Sequence, residues 1–470
     1  MKKVVIVGGG IAGLSAAYTL QENQQNIEYI LVEKNPRLGG KILTEHKDGF
    51  LIEGGPDCFL SEKQSVIKLA EKIGLADSLI GTNDQFKGTY IYSGKRLHTL
   101  PEGLILMVPT KIVPFALSPL ISWPGKFRMS LDFILPRKKG QDDETLYSFV
   151  MRRLGREALD KIAEPLIGGI HGGDPETMSL KASFPRFLEM EKNYGSLIWA
   201  MLMARKNVKK KPTRPVDGRP KSYFMSFKKG MGELTEVLET KLSGRIIKGR
   251  EVTGITLLEL GNNRFQVRIE GGETITADGV ILAVPAPEAS DLLKNIVPEA
   301  SEILNLTPMA SSAILTLAYQ RNQIPRGLNS FGFLVPHVEQ RKINAVTFSS
   351  VKWNYRAPDK EHVLIRTFIG GAKNSPLALV PEEELFLWIK QDLKTILGIT
   401  AEPEHYWIHR WINARPQYTM GHLDRLKEIE DHLKKVPGLV LAGGSYRGIG
   451  VPDCVNDGIK GAKKVMDYLR

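Results

Sequence analysis

The chain has 470 residues, of which 42% are hydrophobic and 25% charged, a composition that excludes a fibrous or disordered protein and predicts two or three domains. The net charge of +12 favours an anionic metabolite, a membrane surface or nucleic acid as the partner. Only two cysteines are present, Cys58 and Cys454. Their number excludes a disulfide framework and a cysteine-based metal site, so we expect a reducing, cytoplasmic setting and no metal.

The sequence also argues against a signal peptide and a membrane-spanning helix. The first apolar run is interrupted by glycines at residues 8–10. No stretch of about 20 uninterrupted apolar residues follows. Residues 103–123 come nearest, but repeated prolines favour short buried helices and turns there. A peripheral contact of this run with a bilayer surface is the alternative.

The opening of the chain has the pattern of a dinucleotide site. Residues 2–7 predict a buried strand, and a helix and a second strand at 29–32 follow the turn. Glu33 ends that strand at the distance from the turn that the pattern requires, and Lys34 comes next. The turn itself fits G-x-G-x-x-G and consists of Gly8, Gly9, Gly10, Ile11, Ala12 and Gly13.

Each part of this pattern has a physical task. Gly8 permits a tight turn, Gly10 lets the backbone approach a pyrophosphate, and Gly13 lets helix and strand pack closely. The helix N-terminus offers free N–H groups to the phosphates. Glu33 can accept hydrogen bonds from ribose hydroxyls and would repel a 2′-phosphate, so the pattern predicts an adenine dinucleotide other than NADP. A glycine-rich turn without a ligand is the alternative.

The next two segments distinguish FAD from NAD. Residues 35–41 resemble the R-x-G-G-R motif of the flavin amine oxidase and desaturase superfamily, with Gly40 conforming and Lys41 replacing the final arginine. A lysine keeps the charge but lacks the planar fork needed for a bidentate phosphate contact. Residues 49–57 resemble the segment that passes close to the flavin in that superfamily and end in Gly55, Pro56 and Asp57. The resemblance therefore implies FAD.

The middle of the chain predicts helices at 61–75, 145–155 and 158–167 and a hairpin at 89–98. A glycine-rich loop at 168–175 contains His171, for which a backbone-satisfied loop histidine is favoured over a ligand or base. Residues 205–229 carry ten Lys or Arg and predict a solvated linker. An anion-steering loop is a weaker alternative, and nucleic acid is disfavoured because no binding module accompanies the charges.

The second half resembles the same superfamily in the order of its elements. A helix from 231, a strand at 249–255, a hairpin at 264–277 and a buried strand at 278–285 correspond to the second part of the FAD domain. The resemblance places Val252 near the adenine. Strands at 311–319, 362–369 and 404–411 and a helix at 382–397 predict a mixed sheet over the flavin, which Trp407 would cover.

Two segments resemble a narrower group, the protoporphyrinogen/coproporphyrinogen oxidase family. Residues 442–458 are similar to its C-terminal signature, which implies that Gly443, Ile449, Gly450 and Val451 reach the flavin. Residues 165–175 are similar to a segment that borders the substrate cavity, which implies substrate contacts for Gly169, Ile170 and His171. The last helix would run from about 457 to the end of the chain.

The predicted fold class is α/β, with a Rossmann-like FAD-binding domain of the flavin amine oxidase type, a mixed-sheet substrate domain and a helical insertion. We expect FAD-binding parts at 1–88, 216–290 and 435–470. The helical insertion, a substrate-lining and membrane-associating candidate, would span 89–215, and the substrate sheet 291–434.

The resemblance implies an oxygen-dependent, six-electron oxidation of a porphyrinogen to a porphyrin in heme biosynthesis, with release of hydrogen peroxide. Without a transit peptide or an obvious membrane anchor, the sequence resembles the soluble bacterial branch of the family, which implies coproporphyrinogen III. Its four carboxylates also suit the positive charge, and protoporphyrinogen IX stays open. No catalytic side chain is assigned, since the cofactor carries the reaction. The alternatives are a flavin amine oxidase acting on a polyamine or amino acid and a non-catalytic tetrapyrrole-binding flavoprotein. Transfer of the product to the next enzyme of the heme pathway is left open.

Overall fold

The computed structural model describes residues 1–23, 26–83, 85–86, 88–105, 107–140, 142–208, 222–258 and 264–470. The chain divides into two compact units, each assembled from separate segments. Unit 1 consists of Met1–Thr82, Lys221–Pro308 and Leu423–Arg470. Unit 2 consists of Asn83–Pro220 and Met309–His422.

The strands are short in unit 1 and longest in unit 2. In chain order they are β1 (Lys2–Val7), β2 (Ile27–Glu33), β3 (Thr44–Lys47), β4 (Phe50–Glu53), β5 (Phe59–Leu60), β6 (Leu79–Gly81), β7 (Tyr90–Ser93), β8 (Arg96–Thr99), β9 (Leu104–Ile105), β10 (Val108–Pro109), β11 (Phe224–Phe227), β12 (Arg245–Lys248), β13 (Val252–Leu258), β14 (Arg264–Ile269), β15 (Thr274–Ala277), β16 (Gly279–Leu282), β17 (Met309–Gln320), β18 (Gly332–Leu334), β19 (Ala345–Phe348), β20 (His362–Gly370), β21 (His405–Pro416) and β22 (Leu439–Leu441).

The helices alternate with strands in unit 1 and cluster between residues 112 and 208 in unit 2. In chain order they are α1 (Ile11–Glu22), α2 (Ser65–Lys72), α3 (Ile112–Leu117), α4 (Trp123–Ser130), α5 (Leu146–Arg153), α6 (Arg156–Ala158), α7 (Glu164–His171), α8 (Leu180–Ser183), α9 (Pro185–Tyr194), α10 (Leu197–Val208), α11 (Gly232–Lys241), α12 (Ala286–Leu293), α13 (Pro298–Asn305), α14 (Ser349–Lys352), α15 (Glu382–Leu397), α16 (His422–Leu433) and α17 (Val451–Leu469). A wider π-helical turn, Leu159–Ala163, joins α6 to α7.

Unit 1 is built on a parallel sheet with the strand order β12-β2-β1-β16-β22. Its β-branched strands are buried on both faces, as in other parallel sheets. Val4 and Ile6 of β1 face a core formed with α1, α2, α11 and α17. Val5 and Val7 face the opposite core, formed with the antiparallel β13-β14-β15 sheet and α12, α13 and α16. The predicted Rossmann-like fold is therefore confirmed in unit 1.

Unit 2 combines a mixed sheet with a helical layer. The strand order is β21-β17-β20-β19-β18-β7-β8, with β18 and β7 parallel and the other neighbours antiparallel. Helix α15 covers one face of the sheet. Helices α5, α7, α9 and α10 form their own core, against which Phe368 of the sheet packs. In the described part of the chain, no helix has both the length and the apolarity to cross a bilayer.

The structure corrects three local predictions. The helix predicted from Ser61 begins at Ser65, because the Ser61 hydroxyl donates to the Ser222 carbonyl and does not cap the helix. The loop predicted from residue 168 is helical up to His171, because the left-handed residue that ends α7 is Gly172 (φ +58°).

The predicted linker at 205–229 is also shorter than expected. Its first residues, up to Val208, continue α10, and Phe224–Phe227 form strand β11 between β5 and β6. Tertiary pairing of β11 overrides the polar composition around it. Residues 209–221 lie outside the described residues.

Helix α17 packs so closely on α1 that one glycine is required between them. A Cβ atom on Gly458 would lie 2.1 Å from the Ala12 carbonyl oxygen, whereas a Cβ on Gly461 would meet nothing closer than the Ala442 side chain at 3.4 Å. Both glycines belong to the same helix and are buried. Only position 458 therefore depends on glycine for packing.

We expect Gly458→Ala to lower the free energy of unfolding by about 1–3 kcal/mol, because the methyl group would separate the two helices. The matched variant Gly461→Ala should leave stability unchanged or raise it by up to about 1 kcal/mol, since alanine favours the helix. Chemical unfolding followed by circular dichroism measures both. Equal effects of the two variants would contradict this account of the α1–α17 contact.

Candidate functional site in unit 1 and a glycine-lined cleft in unit 2

The first glycine turn is fixed by the backbone of the sheet. Gly8 follows β1, donates its N–H to the Val32 carbonyl (2.8 Å) and has φ +102°. A Cβ there would lie 2.6 Å from the Ala283 carbonyl oxygen. A Cβ on Gly13 would lie 1.9 Å from the Gly8 carbonyl oxygen, which confirms the close packing predicted for Gly13. Both glycines are thus required by the protein itself.

Gly10 is different, because no protein atom requires a glycine there. Its backbone is extended (φ −68°, ψ 175°), and a Cβ would meet only the Gly40 Cα, at 4.0 Å. Gly10 is also the N-cap of α1, which has neither a side-chain cap nor an acidic residue in its first turn. Ile11 and Ala12 are buried at the start of the helix. The positive helix end is left with open space in front of it, as an anion requires.

The Glu33 carboxylate fixes the first glycine turn by hydrogen bonding. Its carboxylate is 6% exposed and accepts a hydrogen bond from the Gly9 amide at Oε2 (2.6 Å). Oε1 accepts from the backbone amide (2.9 Å) and side chain (2.6 Å) of Asn35. Since a carboxylate has about four acceptor sites, one remains for a ligand hydroxyl. The Lys34 ammonium forms an exposed ion pair with Glu288 (3.7 Å).

The second glycine motif lies directly against the first. The Gly39 amide donates to the Gly9 carbonyl (2.9 Å), and Gly39 forms a parallel bridge with Gly10. Gly40 is left-handed (φ +58°), and a Cβ there would lie 3.0 Å from the Gly10 Cα. Arg37 holds this loop by donating to the carbonyls of Leu38, Gly40 and Ile42 at 3.2, 2.6 and 3.0 Å.

The segment predicted to border the flavin adjoins Lys41. The Lys41 carbonyl oxygen would lie 1.8 Å from a Cβ on Gly55, so only glycine fits there. Pro56 and Asp57 follow and are half-buried, and the Asp57 carbonyl accepts from the Ser226 hydroxyl (2.8 Å). This places the segment beside strand β11.

Glu53, the acid of the same segment, has a role in the fold. Its Oε1 accepts from the Met231 amide (2.9 Å) and its Oε2 from the Thr44 hydroxyl (2.6 Å). The carboxylate therefore ties β3 and β4 to the start of α11. Charge-assisted bonds of this kind are stronger than neutral ones.

The closing segment reaches the same place from the other end of the chain. Gly443 (φ +123°) donates its amide to Asp457 Oδ2 (2.8 Å), and a Cβ on it would lie 3.8 Å from that of Ala12. Asp457 also pairs with Arg447 (3.1 Å). Ile449 precedes Gly450, the N-cap of α17, and Val451 is its first residue. The N-termini of α1 and α17 are each capped by a glycine, Gly10 and Gly450. We call the glycine-lined site that they share with the two glycine motifs the cradle.

Lys41 and Val252 belong to the same region. The positive charge of Lys41 acts on Cys454 in α17, although burial dominates and raises the pKa of the Cys454 thiol to about 12. Val252 is buried at the start of β13, two residues after Arg250, whose amide donates to the Glu33 carbonyl (3.2 Å). The first, second and closing motifs and strand β13 therefore lie together in unit 1.

The remaining predicted residues belong to unit 2. Gly169, Ile170 and His171 form the last turn of α7, and Trp407 lies in β21 with its ring stacked on His405 at 5.7 Å. The predicted contacts of these four with substrate or flavin stay predictions.

The end of α7 borders a small open cleft. Its walls include Gly168, Gly172 and Gly173 from α7 and the turn after it, and residues 370–374 after β20. Burial raises the pKa of Glu164 in this cleft, although its Oε2 accepts from the His337 amide (3.0 Å). Five glycines therefore line this cleft together with charged and polar residues such as Glu164, His337 and Lys373.

The cradle in unit 1 fits an adenine dinucleotide. Its open helix end suits a pyrophosphate, its carboxylate retains an acceptor site for a ribose hydroxyl, and its glycines leave room for both. Arg37, Glu53 and Asp457 were not predicted to shape this site. Their roles depend on backbone partners that the sequence pattern does not reveal, although the spacing of Arg37 within the second motif is a usable signal.

Comparison with known proteins agrees with this geometry. Residues 11–466 match the family described as flavin containing amine oxidoreductase, and the chain belongs to that family. It is therefore an oxidoreductase whose cofactor is FAD. The resemblance to this superfamily that the sequence motifs indicated is confirmed.

Several relatives match over nearly their whole length. Coproporphyrinogen III oxidase of Bacillus subtilis (strain 168) is 33% identical over 100% of this chain and 98% of the relative. The Staphylococcus aureus protein of the same name is 32% identical over the whole of both chains. Chloroplastic protoporphyrinogen oxidase of Nicotiana tabacum is 29% identical over 99% of this chain and 85% of the relative.

Solved structures show the same fold. A crystal structure from Exiguobacterium sp. 255-15, provisionally named protoporphyrinogen oxidase, has a TM-score of 0.86 and 32% identity, covering 100% of this chain and 99% of its own. Putrescine oxidase bound to putrescine has a TM-score of 0.70 over 99% of both chains. Its 16% identity makes it evidence for the fold alone.

Gly10 allows the cofactor's place to be tested separately from the fold. We expect Gly10→Ala to leave the thermal stability of the FAD-free protein unchanged, because its methyl group would lie at ordinary contact distance, 4.0 Å, from the Gly40 Cα. It should weaken FAD binding by at least about tenfold, because the methyl group enters the space in which a pyrophosphate would approach the backbone. Flavin fluorescence titration measures the affinity.

Gly13→Ala is the matched control, since its methyl group collides with the Gly8 carbonyl and should destabilise the FAD-free protein itself. If Gly10→Ala binds FAD as tightly as the wild type, the phosphates do not lie at this turn.

Proposed function

We propose that this chain is an FAD- and oxygen-dependent oxidase that converts a porphyrinogen to a porphyrin in heme biosynthesis, with coproporphyrinogen III as its preferred substrate. The observation that carries the proposal is full-length similarity to two proteins named coproporphyrinogen III oxidase, at 32–33% identity. The agreement spans both units and is not confined to a nucleotide-binding motif that many families share.

The cradle residues have defined tasks under this proposal. Gly8–Gly13 hold the pyrophosphate at the N-terminus of α1, Glu33 binds a ribose hydroxyl, and Val252 borders the adenine. Gly40, Lys41, Gly55–Asp57, Gly443 and Ile449–Val451 lie along the rest of the cofactor. The cofactor held by these residues would supply the hydride acceptor and the route for electrons to dioxygen, with hydrogen peroxide as the by-product.

The protein's own contribution is binding and orientation. A porphyrinogen loses six hydrogens, so it must present successive meso carbons to one place, and backbone-walled surfaces permit such reorientation. We propose that the last turn of α7, Gly169–His171, supplies one of these surfaces. Aromatisation of the product provides the driving force, so the mechanism needs no strongly activated side chain.

We expect the FAD-loaded protein to turn coproporphyrinogen III into a fluorescent porphyrin in air, more slowly to oxidise protoporphyrinogen IX, and to leave putrescine unchanged. Three hydrogen peroxide molecules should accompany each porphyrin, because each oxidation step removes two electrons. Porphyrin fluorescence and a peroxide assay measure the two products. The Gly10→Ala variant is the control. At limiting FAD it should form porphyrin more slowly than the wild type.

Two results would contradict this proposal, and each would identify a different function. Peroxide formation with putrescine but with neither porphyrinogen would identify an amine oxidase. Tight porphyrinogen binding without reduction of the bound flavin would identify a non-catalytic tetrapyrrole-binding flavoprotein.

We further propose that the protein works in the cytoplasm and rests on the membrane surface through an apolar ridge in unit 2. The ridge comprises large apolar side chains of and around α3 and α4, each 45–78% exposed: Ile112, Val113, Leu117, Trp123, Phe127, Phe133 and Ile134. The Lys126 ammonium lies 4.3 Å from the Trp123 ring, so a cation accompanies the apolar surface. Exposed apolar clusters of this size are typical of interaction surfaces.

The ridge predicts binding to vesicles that contain anionic phosphatidylglycerol. We expect the wild type to sediment with them and the Trp123→Ser/Phe127→Ser variant to remain in the supernatant, because the apolar contact is lost. The matched control is Leu379→Ser/Leu387→Ser, which removes two side chains of 53% and 62% exposure outside the ridge. Absence of wild-type sedimentation, or equal loss in both variants, would contradict the proposal.

A further inference from the structure

Residues 442–450, which join β22 to α17, are tied to α17 by the buried carboxylate of Asp457. Its Oδ2 accepts a hydrogen bond from the Gly443 amide (2.8 Å), and its Oδ1 accepts one from the Arg447 guanidinium (3.1 Å). Among the described residues, Arg447 is the only cation that forms an ion pair with Asp457. The carboxylate depends on this cation, because an unpaired buried charge is costly.

The Arg447 guanidinium also reaches α16. Its Nη2 donates to the Glu430 carboxylate, and the Lys464 ammonium lies 3.9 Å from the same carboxylate. The Glu430 side chain is 38% exposed and that of Asp457 is 5% exposed, so water screens the outer pair much more than the inner one. Burial alone would lower the pKa of Arg447, but the charges of Asp457 and Glu430 raise it. Asp457 therefore depends on Arg447 more than Glu430 does.

The position of this segment does not depend on Arg447 alone. The Ala442 amide donates to the Leu282 carbonyl (3.0 Å), which joins the end of β22 to β16. The Ser445 hydroxyl accepts a hydrogen bond from the Ala286 amide (3.0 Å), which joins the segment to the start of α12. Loss of the Arg447 side chain should therefore change the local charge more than the local backbone.

The charge of Asp457 acts on the part of the chain that we expect to line the cofactor. Burial raises the pKa of the Cys454 thiol, and the Asp457 carboxylate contributes in the same direction. The Cys454 Sγ in turn lies 4.0 Å from the Ile449 carbonyl oxygen. Gly443 is bonded to Asp457 directly. A change in the net charge at Asp457 would therefore be felt at both Gly443 and Ile449.

We propose that Arg447 is a positioning residue for the flavin that acts through Asp457, whose charge it compensates beside the cofactor. This inference rests on the proposed function, because it uses the cofactor contacts proposed there for Gly443 and Ile449. Reduction places electrons on the flavin, and an uncompensated carboxylate nearby would oppose them. Arg447 therefore raises the reduction potential of the bound cofactor and favours electron transfer from the porphyrinogen.

The test is the two-electron reduction potential of the FAD-loaded protein, measured by equilibration with reference dyes and followed by absorbance. We expect Arg447→Gln to lower this potential by at least about 30 mV, which corresponds to about tenfold weaker binding of reduced FAD relative to oxidised FAD. Arg447→Lys should keep most of the wild-type potential, because lysine retains the charge. An unchanged potential in Arg447→Gln would overturn the proposal.

Lys464→Gln is the matched control. Lys464 lies in the same helix as Asp457 and approaches the same Glu430 carboxylate, but its side chain is 58% exposed. The substitution removes one positive charge, as Arg447→Gln does. It should leave the reduction potential unchanged, because water and salt screen an exposed charge. An equal fall of the potential in both variants would reveal an effect of net charge alone and overturn the proposal.

The double variant Arg447→Gln/Asp457→Asn separates charge compensation from a merely structural role. An asparagine can still accept the Gly443 hydrogen bond but carries no charge. We expect the second substitution to return the potential toward the wild-type value. A structural role predicts no recovery, since the contact with Arg447 is lost in both variants, and that outcome would overturn the proposal. If Arg447→Gln does not fold, Asp457→Asn alone should raise the potential above that of the wild type, and a value at or below the wild type would contradict the proposal.

Failure of the proposed function is distinguishable from failure of this inference, because the potential is measured without a porphyrinogen. If the wild type oxidises neither porphyrinogen but Arg447→Gln lowers the potential and the double variant restores it, the role of Arg447 stands and the oxidase proposal falls. If porphyrinogen oxidation proceeds and Arg447→Gln keeps the wild-type potential, only the role of Arg447 falls.

Discussion

The hydrogen bond from the Gly9 amide to the Glu33 carboxylate is the interaction on which the nucleotide site depends. It joins the end of β2 to the turn after β1 at 2.6 Å in a buried position, where a charge-assisted bond is strong. The backbone carbonyl of Glu33 also accepts from Arg250, which brings the β13 strand to the same place. Glu33 therefore positions both the glycine turn and strand β13, and its carboxylate keeps one acceptor site free of protein donors.

The cradle also explains why unit 1 is assembled from distant segments. Its first helix and its last helix share a contact that is closed by Gly458 on Ala12, and strand β22 completes the sheet beside β16. The second helix N-terminus exists only when the C-terminal segment is in place. A chain that had folded only its first part would hold the glycine turn without the closing half of the site.

Much of this could be predicted because the signals are local. A β-branched strand, a glycine turn and an acid at fixed spacing specify the parallel sheet around Gly8 and Glu33, and each glycine task follows from backbone geometry. The end of α7 was missed because four glycines look like a loop, whereas only Gly172 adopts the left-handed conformation. The role of Glu53 could not be predicted, because its partner Met231 lies 178 residues farther along the chain.

The two units use glycine and charge in different ways. In unit 1, glycines bring backbone N–H groups to an open helix end, and the acid is satisfied by backbone donors. In unit 2, glycines line a cleft beside Glu164, whose carboxylate accepts a hydrogen bond from the His337 amide. The arrangement in unit 1 suits a phosphate-bearing cofactor.

The most direct test of the central claim is a crystal structure of the protein purified with its flavin. We expect the FAD pyrophosphate within hydrogen-bond distance of the first backbone amides of α1 and the adenosine ribose within hydrogen-bond distance of Glu33. Flavin density at another location, or a protein that crystallises from FAD-containing solution without binding FAD, would contradict the account.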